Sequence, residues 1–509
     1  MDFRKNDFAG GDRLLNQKFS RAGVDLIRRV ALFITFVCAV SVPSACVRTD
    51  CATADGFCDV SVLYWLYTGP CDVYSWSTYF GATNGTEVAE SIVQSADAGY
   101  VMAGKAFQPF GSPINGFINP GTRNFLVIKF SESGRYLWHT FLGESGDRPV
   151  SMVAASDGYI ISGAAISSFG SPLQAYSGSN DGFVAKIDLN GNLLWHTYFG
   201  TAGSEEVGQI ISDGAGNYVL GGKSVGNIAN AGTVVVSNTN AGTDQVLVMK
   251  INANGTPLWQ SHFGGTSADT GYRIARYANG YVLAGTSDQA FDASFNNQRN
   301  AINGGGTADL MVLGVDFNGN YLWHTFHGGT TTADDASSVG VLADGRILVS
   351  CISRDTWSTP VNPHPDPGAQ NAMAIFVLDT NGDLKWNTFQ GNAGGTGNTM
   401  TRAVQRTNKQ ILFLGTSSGS FGNPVQPFQG VADLVVGALD ASTGQLLSHS
   451  FYGGAATNDA ASPTAFLQTC DNGFIISGAS DGNFGNPIEP YAGTGFQGQV
   501  IKLAPLEVP

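Results

Sequence analysis

The chain has 509 residues, 67 of them Gly, and only 13% are charged, about half the usual quarter. Hydrophobic residues at 43% and aromatics at 11% are too many for a disordered chain, and Gly recurs without the three-residue period of collagen. A net charge of −14 excludes nucleic acid as a partner, since its binders present basic surfaces.

Arg28 and Arg29 stand directly before an apolar run, Val30 to Val42, and small residues Ser44 and Ala45 follow it. This is the layout of an export signal over residues 1–45. The run is short for a hydrocarbon core of ~30 Å, and a buried helix or a retained anchor is the rival reading. Val42-Pro43-Ser44-Ala45-Cys46 resembles a bacterial lipobox of the loose kind found in spirochaetal lipoproteins, with Pro43 where Leu is common. The resemblance implies that Cys46 is lipidated and becomes the mature N-terminus. Residues 46–75 then form a Cys-containing tether with an apolar patch, Val60 to Tyr67. Cys51, Cys58 and Cys71 cluster there, and export favours a disulfide. Cys51 with Cys58 and Cys58 with Cys71 both fit, and one Cys is left over either way. No His accompanies the cluster, which argues against zinc.

From Trp76 a repeat of about sixty residues fills the chain. Trp76-Ser77-Thr78-Tyr79-Phe80-Gly81 returns at Trp138, Trp195, Trp259, Trp323 and Trp386, and in degenerate form as Ser448-His449-Ser450-Phe451-Tyr452-Gly453. Some twenty residues later comes a turn and a short strand, as in Asp157-Gly158 before Tyr159 to Gly163. A variable Gly/Asn/Ser-rich stretch follows, then a β-rich run such as Phe183 to Ile187. That run ends in a turn like Asp188-Leu189-Asn190-Gly191, whose Asn and Gly tolerate the positive φ of tight hairpins.

Each unit therefore has four short strands, the size of a propeller blade. The array opens with a lone Trp strand and finishes with Gln499 to Leu503 and no Trp strand after it. The expected fold is all-β: a seven-bladed β-propeller of four-stranded antiparallel blades over residues 76–509. An N-terminal strand completes the C-terminal blade, so no edge is left open. The pattern W-x-T-Y/F-x-G, then Y-V-x-x-G, then F-V-x-K-x-D-x-N-G resembles the bacterial β-propeller repeat called SBBP. That resemblance implies the fold but says little of function, since propellers host enzymes, receptors and scaffolds alike.

By analogy with related propellers the Trp strand is outermost and the next strand lines the channel. The loops after the Trp strands and the long variable loops then share one face, and binding residues concentrate on such loops. That face carries Glu87, Asp147, Glu205, Glu206, Asp269, Asp334, Asp335 and Asp459, with Asp181, Asp244, Asp309 and Asp433 near the ends of the long loops. An acidic ring would attract cations or bind Ca²⁺ through carboxylates and loop carbonyls; alternatively these acids cap turns. Recurrence at equivalent positions favours capping, because a single site does not repeat in every unit. No cofactor is otherwise expected.

His139, His196 and His324 each follow a Trp. On outermost strands they stand too far apart to share a metal. The spacing Asp188 to Trp195 resembles that of quinone-dependent propeller dehydrogenases, where such a Trp docks blade on blade, so it reports architecture. No nucleophile elbow and no His-Glu-x-x-His occurs. Phe110-Gly111-Ser112-Pro113 recurs at Phe169, Phe421 and Phe484, in units adjacent around a closed ring. The three intervening long loops, Asn227 to Thr243, Gln289 to Asp309 and Arg354 to Asn371, diverge; they form either an off-centre binding patch or the product of drift.

The leading expectation is a lipid-anchored, non-enzymatic binding module at the outer membrane or cell surface, taking a protein or glycan on its long-loop face. The rivals are an envelope glycan hydrolase or lyase with acidic residues near the channel, and a periplasmic assembly scaffold.

Overall fold

The computed structural model describes residues 76–503, apart from 84, 147–149, 238–241, 304–307, 330–333, 395–396, 408, 454–464, 470–472, 481–486, 489 and 491–496. All the described residues belong to one compact unit, and among them there is no helix.

The strands form seven sheets, each with four antiparallel strands. Blade 1 holds Val88–Gln94, Tyr100–Ala106, Asn124–Phe130 and Tyr136–Glu144; blade 2 holds Ser151–Ala155, Gly158–Ala165, Asp181–Asp188 and Leu193–Phe199. Blade 3 holds Glu206–Ser212, Asn217–Ser224, Gln245–Asn252 and Pro257–Phe263; blade 4 holds Arg273–Tyr277, Gly280–Ser287, Asp309–Val315 and Tyr321–His327. Blade 5 holds Asp335–Val341, Ile347–Ser353, Ala372–Leu378 and Leu384–Gln390; blade 6 holds Asn398–Thr407, Gln410–Ser417, Asp433–Asp440 and Leu446–Tyr452. Blade 7 joins Ala465–Gln468, Phe474–Ser480 and Gln497–Leu503 to Trp76–Phe80.

The seven first strands touch one another in sequence around the ring, blade 7 meeting blade 1. They line the channel, and the Trp strands are outermost. Closure is made by Trp76–Phe80 against Gln497–Leu503, in the register Trp76 to Lys502 and Phe80 to Gly498. The sequence repeat is thus offset from the blade by one strand.

The middle strands are buried along their whole length, as in Tyr100–Ala106 and Asn124–Phe130. Both faces of a blade pack on neighbours, which is why these strands read as continuous apolar runs instead of alternating ones. Phe125 of blade 1 stacks on Phe183 of blade 2 at 4.5 Å.

The Trp residues fix the spacing between blades. A Cβ added at Gly134, Gly191, Gly255, Gly319, Gly382 or Gly444 would fall 2.5 to 2.9 Å from the indole of Trp76, Trp138, Trp195, Trp259, Trp323 or Trp386 respectively. Each glycine belongs to the third hairpin turn of the blade that follows its Trp, and each has positive φ. Glycine is required twice over, for conformation and for close approach. The same contact explains the degenerate copy. Blade 7 has no hairpin between its third and fourth strands, because they come from opposite ends of the chain. The junction of blade 6 with blade 7 offers no such turn glycine, and the residue there is Ser448.

The Asp of the turn motif caps the turn. Asp188 Oδ1 accepts the N–H groups of Asn190 and Asn192 at 2.8 and 2.9 Å, and Asp316 repeats the arrangement. The D-to-W spacing is therefore a turn cap followed by a blade-docking indole.

Blade 3 carries a fifth strand, Thr233–Val236, which pairs parallel to Pro257–Phe263 outside the Trp strand. It belongs to the first of the divergent loops. Elsewhere the long loop makes shorter rails along the same edge. Ile114, Leu173, Arg299, Val361, Val425 and Ile488 donate their N–H groups to the carbonyls of His139, His196, His324, Asn387, His449 and Ser77, at 2.7 to 2.9 Å. These rails occupy strand edges that would otherwise be open to pairing with another chain.

Candidate functional site

The loop face is built from two recurring devices. In the first, the acid at the end of the loop after the Trp strand turns inward. Glu205 Oε2 accepts the Thr201 N–H at 2.5 Å, Asp269 Oδ2 the Gly265 N–H at 2.8 Å, and Asp334 Oδ2 the Gly329 N–H at 3.0 Å. All three residues are buried. Burial pushes the Asp269 carboxyl up to about 7 and that of Asp334 to about 6, and raises that of Glu205. Asn398 does the same work with an amide, accepting the Asn392 N–H at 3.4 Å. Glu87 takes the same position but neither oxygen has a well-formed hydrogen bond. Burial drives its carboxyl up to about 8, with the Ala82 N–H opposing the shift. Asp181, Asp309 and Asp433, at the starts of third strands, are buried too.

Glu206 faces differently: its Oε2 accepts the Tyr272 hydroxyl at 2.6 Å and lies 4.0 Å from Lys223 Nζ. Asp335 is exposed. Asp147, Asp459, Cys46, Cys51 and Cys58 lie outside the described residues. Among the described residues no group of three or more His, Cys, Asp or Glu is arranged to hold a metal ion.

In the second device, the side chain after the Trp grips the long loop. His139, His196 and His449 give Nε2 contacts of 2.7 to 2.9 Å to the carbonyls of Phe110, Phe169 and Phe421, and stack on those rings at 4.1 to 4.4 Å. Gly111, Gly170 and Gly422 adopt φ of 53 to 54° beside the imidazoles. The Phe-Gly-Ser/Asn-Pro motif is thus the receptor for these histidines. Burial depresses all three imidazoles, so the neutral ring donates to the carbonyl. Gln260 replaces His in blade 3, bonding both the N–H and the carbonyl of Ile228.

The side chain at the rail position then distinguishes one junction from the others. Ile114 and Leu173 reach the turn glycines of the next blade, Gly191 and Gly255, and Val361, Val425 and Ile488 hold the same backbone position. In blade 4 that position is Arg299. Its Nε reaches across to the carbonyl of Asn381, in the turn of blade 5, at 2.9 Å. Beside Arg299, on the flank of the ring, lies a polar cleft of about 410 Å³.

The cleft lies between two of the divergent loops. Arg299, Asn300 and Asn303 come from the long loop of blade 4, Trp357 and Ser358 from that of blade 5, and Asp383 from the blade 5 turn. Thr325 and His327 of the outer strand form its back wall. Asn300 and Asn303 each give one amide N–H to the carbonyls of Phe326 and Gly328. Ser358 has φ of 59°, a strained conformation for a residue with a side chain. His327 packs against Trp357 at 5.4 Å, and burial pushes its imidazole down to about 4, so it is neutral.

A charged group in the channel is the feature least visible in the repeat pattern. Glu90 of blade 1 accepts the Val150 N–H at 2.7 Å and pairs with Lys105 at 3.3 Å. Burial raises its carboxyl against the pull of Lys105. Arg273 of blade 4 lies within electrostatic reach of both Glu90 and Asp335.

No protein-family model matches the chain, and no curated protein matches it. Solved structures that resemble it include a europium-containing methanol dehydrogenase, at 12% identity over 84% of this chain and 92% of that one, with a TM-score of 0.41. BamB from Moraxella catarrhalis gives 13% over 84% and 99%, with a TM-score of 0.36. An ulvan lyase bound to its saccharide gives 9% over 82% and 94%, with a TM-score of 0.41. At this degree of likeness none of the three assigns a function to this chain.

Proposed function

We propose that this propeller is an exported, lipid-anchored binding module of the cell envelope, held to the outer membrane or cell surface through Cys46, and that it takes a protein or glycan on surfaces shaped by its long loops. The observation that carries the reading is the polar cleft lined by Arg299, which stands where Ile114 and Leu173 stand in blades 1 and 2, between two loops that depart from the shared pattern. The recurring acids support binding over catalysis, because those of the capping set are committed to loop backbone.

The test uses the full chain with Cys46→Ser, incubated with isolated envelope fractions and sedimented. Retention that falls with Arg299→Leu, which puts the Leu173 side chain at this position, supports the reading. Equal retention of the two chains overturns it. Protease shaving of intact cells carrying the unaltered chain addresses location: digestion without opening the outer membrane supports a surface position.

A further inference from the structure

The flank cleft also specifies the chemistry of what it binds, an inference that rests on the binding-module reading. Its lining offers one cation, Arg299, and one anion, Asp383. The guanidinium keeps both Nη groups beyond its Nε anchor, and guanidinium groups only donate. The Asp383 carboxylate only accepts when ionised. Asn300 and Asn303 each give one amide N–H to backbone, which leaves each a second N–H donor and a carbonyl oxygen acceptor. The Ser358 hydroxyl both donates and accepts, whereas that of Thr325 is buried and contacts His327 Nε2 at 3.3 Å. The balance of charge offers no site for an anion such as phosphate, which recruits several cations or backbone N–H groups. Its apolar lining is small: Trp357 is only 6% exposed and Leu384 is half-buried. A protein partner's aromatic or aliphatic anchor would find no pocket there.

We infer that the cleft between blades 4 and 5 is a subsite for a neutral saccharide, a ligand whose hydroxyls donate and accept in equal measure. At about 410 Å³ it accommodates a short stretch of glycan, within the ordinary range for small-molecule sites. Arg299 serves two roles there: its Nε bond to Asn381 spans the two blades and fixes the width, and its Nη groups meet the ligand. Ser358, in its strained conformation, presents its hydroxyl from the facing loop.

The probes are chitotetraose, maltotetraose and tetragalacturonate, each at up to about 10 mM, followed by saturation-transfer NMR with the Cys46→Ser full chain. The expected result is binding of at least one neutral tetramer, weakened roughly tenfold or more by Arg299→Ala and by Asp383→Ala. Both residues are exposed, so the variants should fold, and unchanged circular dichroism and melting confirm it. Ser358→Gly, which relieves the strain and removes the hydroxyl, should weaken binding while raising the melting temperature. Binding of tetragalacturonate alone, no binding of either neutral tetramer, or neutral binding indifferent to Arg299 and Asp383 each overturns the inference. If envelope retention still depends on Arg299 while no sugar binds, the binding-module reading stands and the saccharide falls.

Discussion

Glu87→Gln isolates the cost of burying a carboxyl that only the Ala82 N–H offsets. In the unfolded chain the group ionises near its ordinary value of 4.5, and in the folded protein only at about 8. Between those values the native state holds a proton that the unfolded state has released, so stability falls as pH rises. The loss accumulates at up to about 1.4 kcal/mol per pH unit and levels off above pH 8, to a ceiling of about 5 kcal/mol. Below pH 4 both states are protonated and the effect is absent. The local fit makes relaxation difficult: a Cβ at Gly81 or Gly85 would lie 2.1 Å from a carboxylate oxygen, so the loop is wrapped tightly around the group. Gln keeps the shape and never ionises. Urea unfolding of both chains at pH 4, 6, 8 and 9 gives the difference directly, because Asp269 and Asp334 titrate equally in both and cancel. The expected result is near equality at pH 4 and an advantage of about 2–5 kcal/mol for the variant at pH 9. A difference that does not change with pH, or a less stable variant at pH 9, would refute the reasoning.

Three further outcomes follow from the packing. Gly191→Ala places a methyl 2.9 Å from Trp138 at φ of 87° and should cost about 2–4 kcal/mol in thermal unfolding; a loss under 1 kcal/mol would mean that the blades slide apart easily. His196→Ala removes a stacked ring and leaves the Phe169 carbonyl without its donor, so limited proteolysis should cut between residues 166 and 180 faster than in the parent, with about 2 kcal/mol of stability lost. The depressed imidazoles add that the parent loses this contribution as pH falls from about 6.5, the unfolded value, through the folded one. Cys351 is fully buried with its thiol pushed well above the ordinary range, so peptide-level alkylation should leave it unlabelled until the protein unfolds; labelling of the native chain would point to local opening of blade 5.

The ring was legible in the sequence because its devices repeat. Trp76 alone at the start of the array and Gln499 to Leu503 alone at its end already implied the closing pair that the register of Trp76 with Lys502 now shows. The acids divide by partner in a way sequence could not sort: Glu205 caps a loop, its neighbour Glu206 bonds Tyr272 from the next blade, and both look alike in the chain. The cleft was hidden for another reason. Arg299 stands in the place of Ile114 and Leu173 at nearly the same distance from its Trp, but it lacks the Phe-Gly-Ser-Pro motif that directly precedes the other two, so the equivalence appears only through the backbone bond to the residue after that Trp. The three loops from Asn227, Gln289 and Arg354 were recognisable as different, and that difference was the available signal. The fifth strand at Thr233–Val236 had a signal too, a run of three Val in a polar loop. Glu90 and Arg273 come from different blades, and nothing local relates them.

The offset between repeat and blade bears on how such a ring changes its size over genetic time. A tandem duplication of about sixty residues inserts the same set of parts wherever its break points fall. It hands one outer strand to the blade already begun and three strands to the blade that follows. The terminal pair still comes from the two ends of the lengthened chain. Each new Trp brings with it a new hairpin glycine one unit downstream, because both reside in the copied segment. The single place that cannot be templated in this way is the seam at Ser448, whose neighbour blade lacks a third hairpin; a copy taken across that seam would introduce a second position without its Trp. Growth by whole units therefore gives every new junction its Trp and glycine only when the seam is left uncopied, and the degenerate copy stands beside the blade in which the two terminal strands pair.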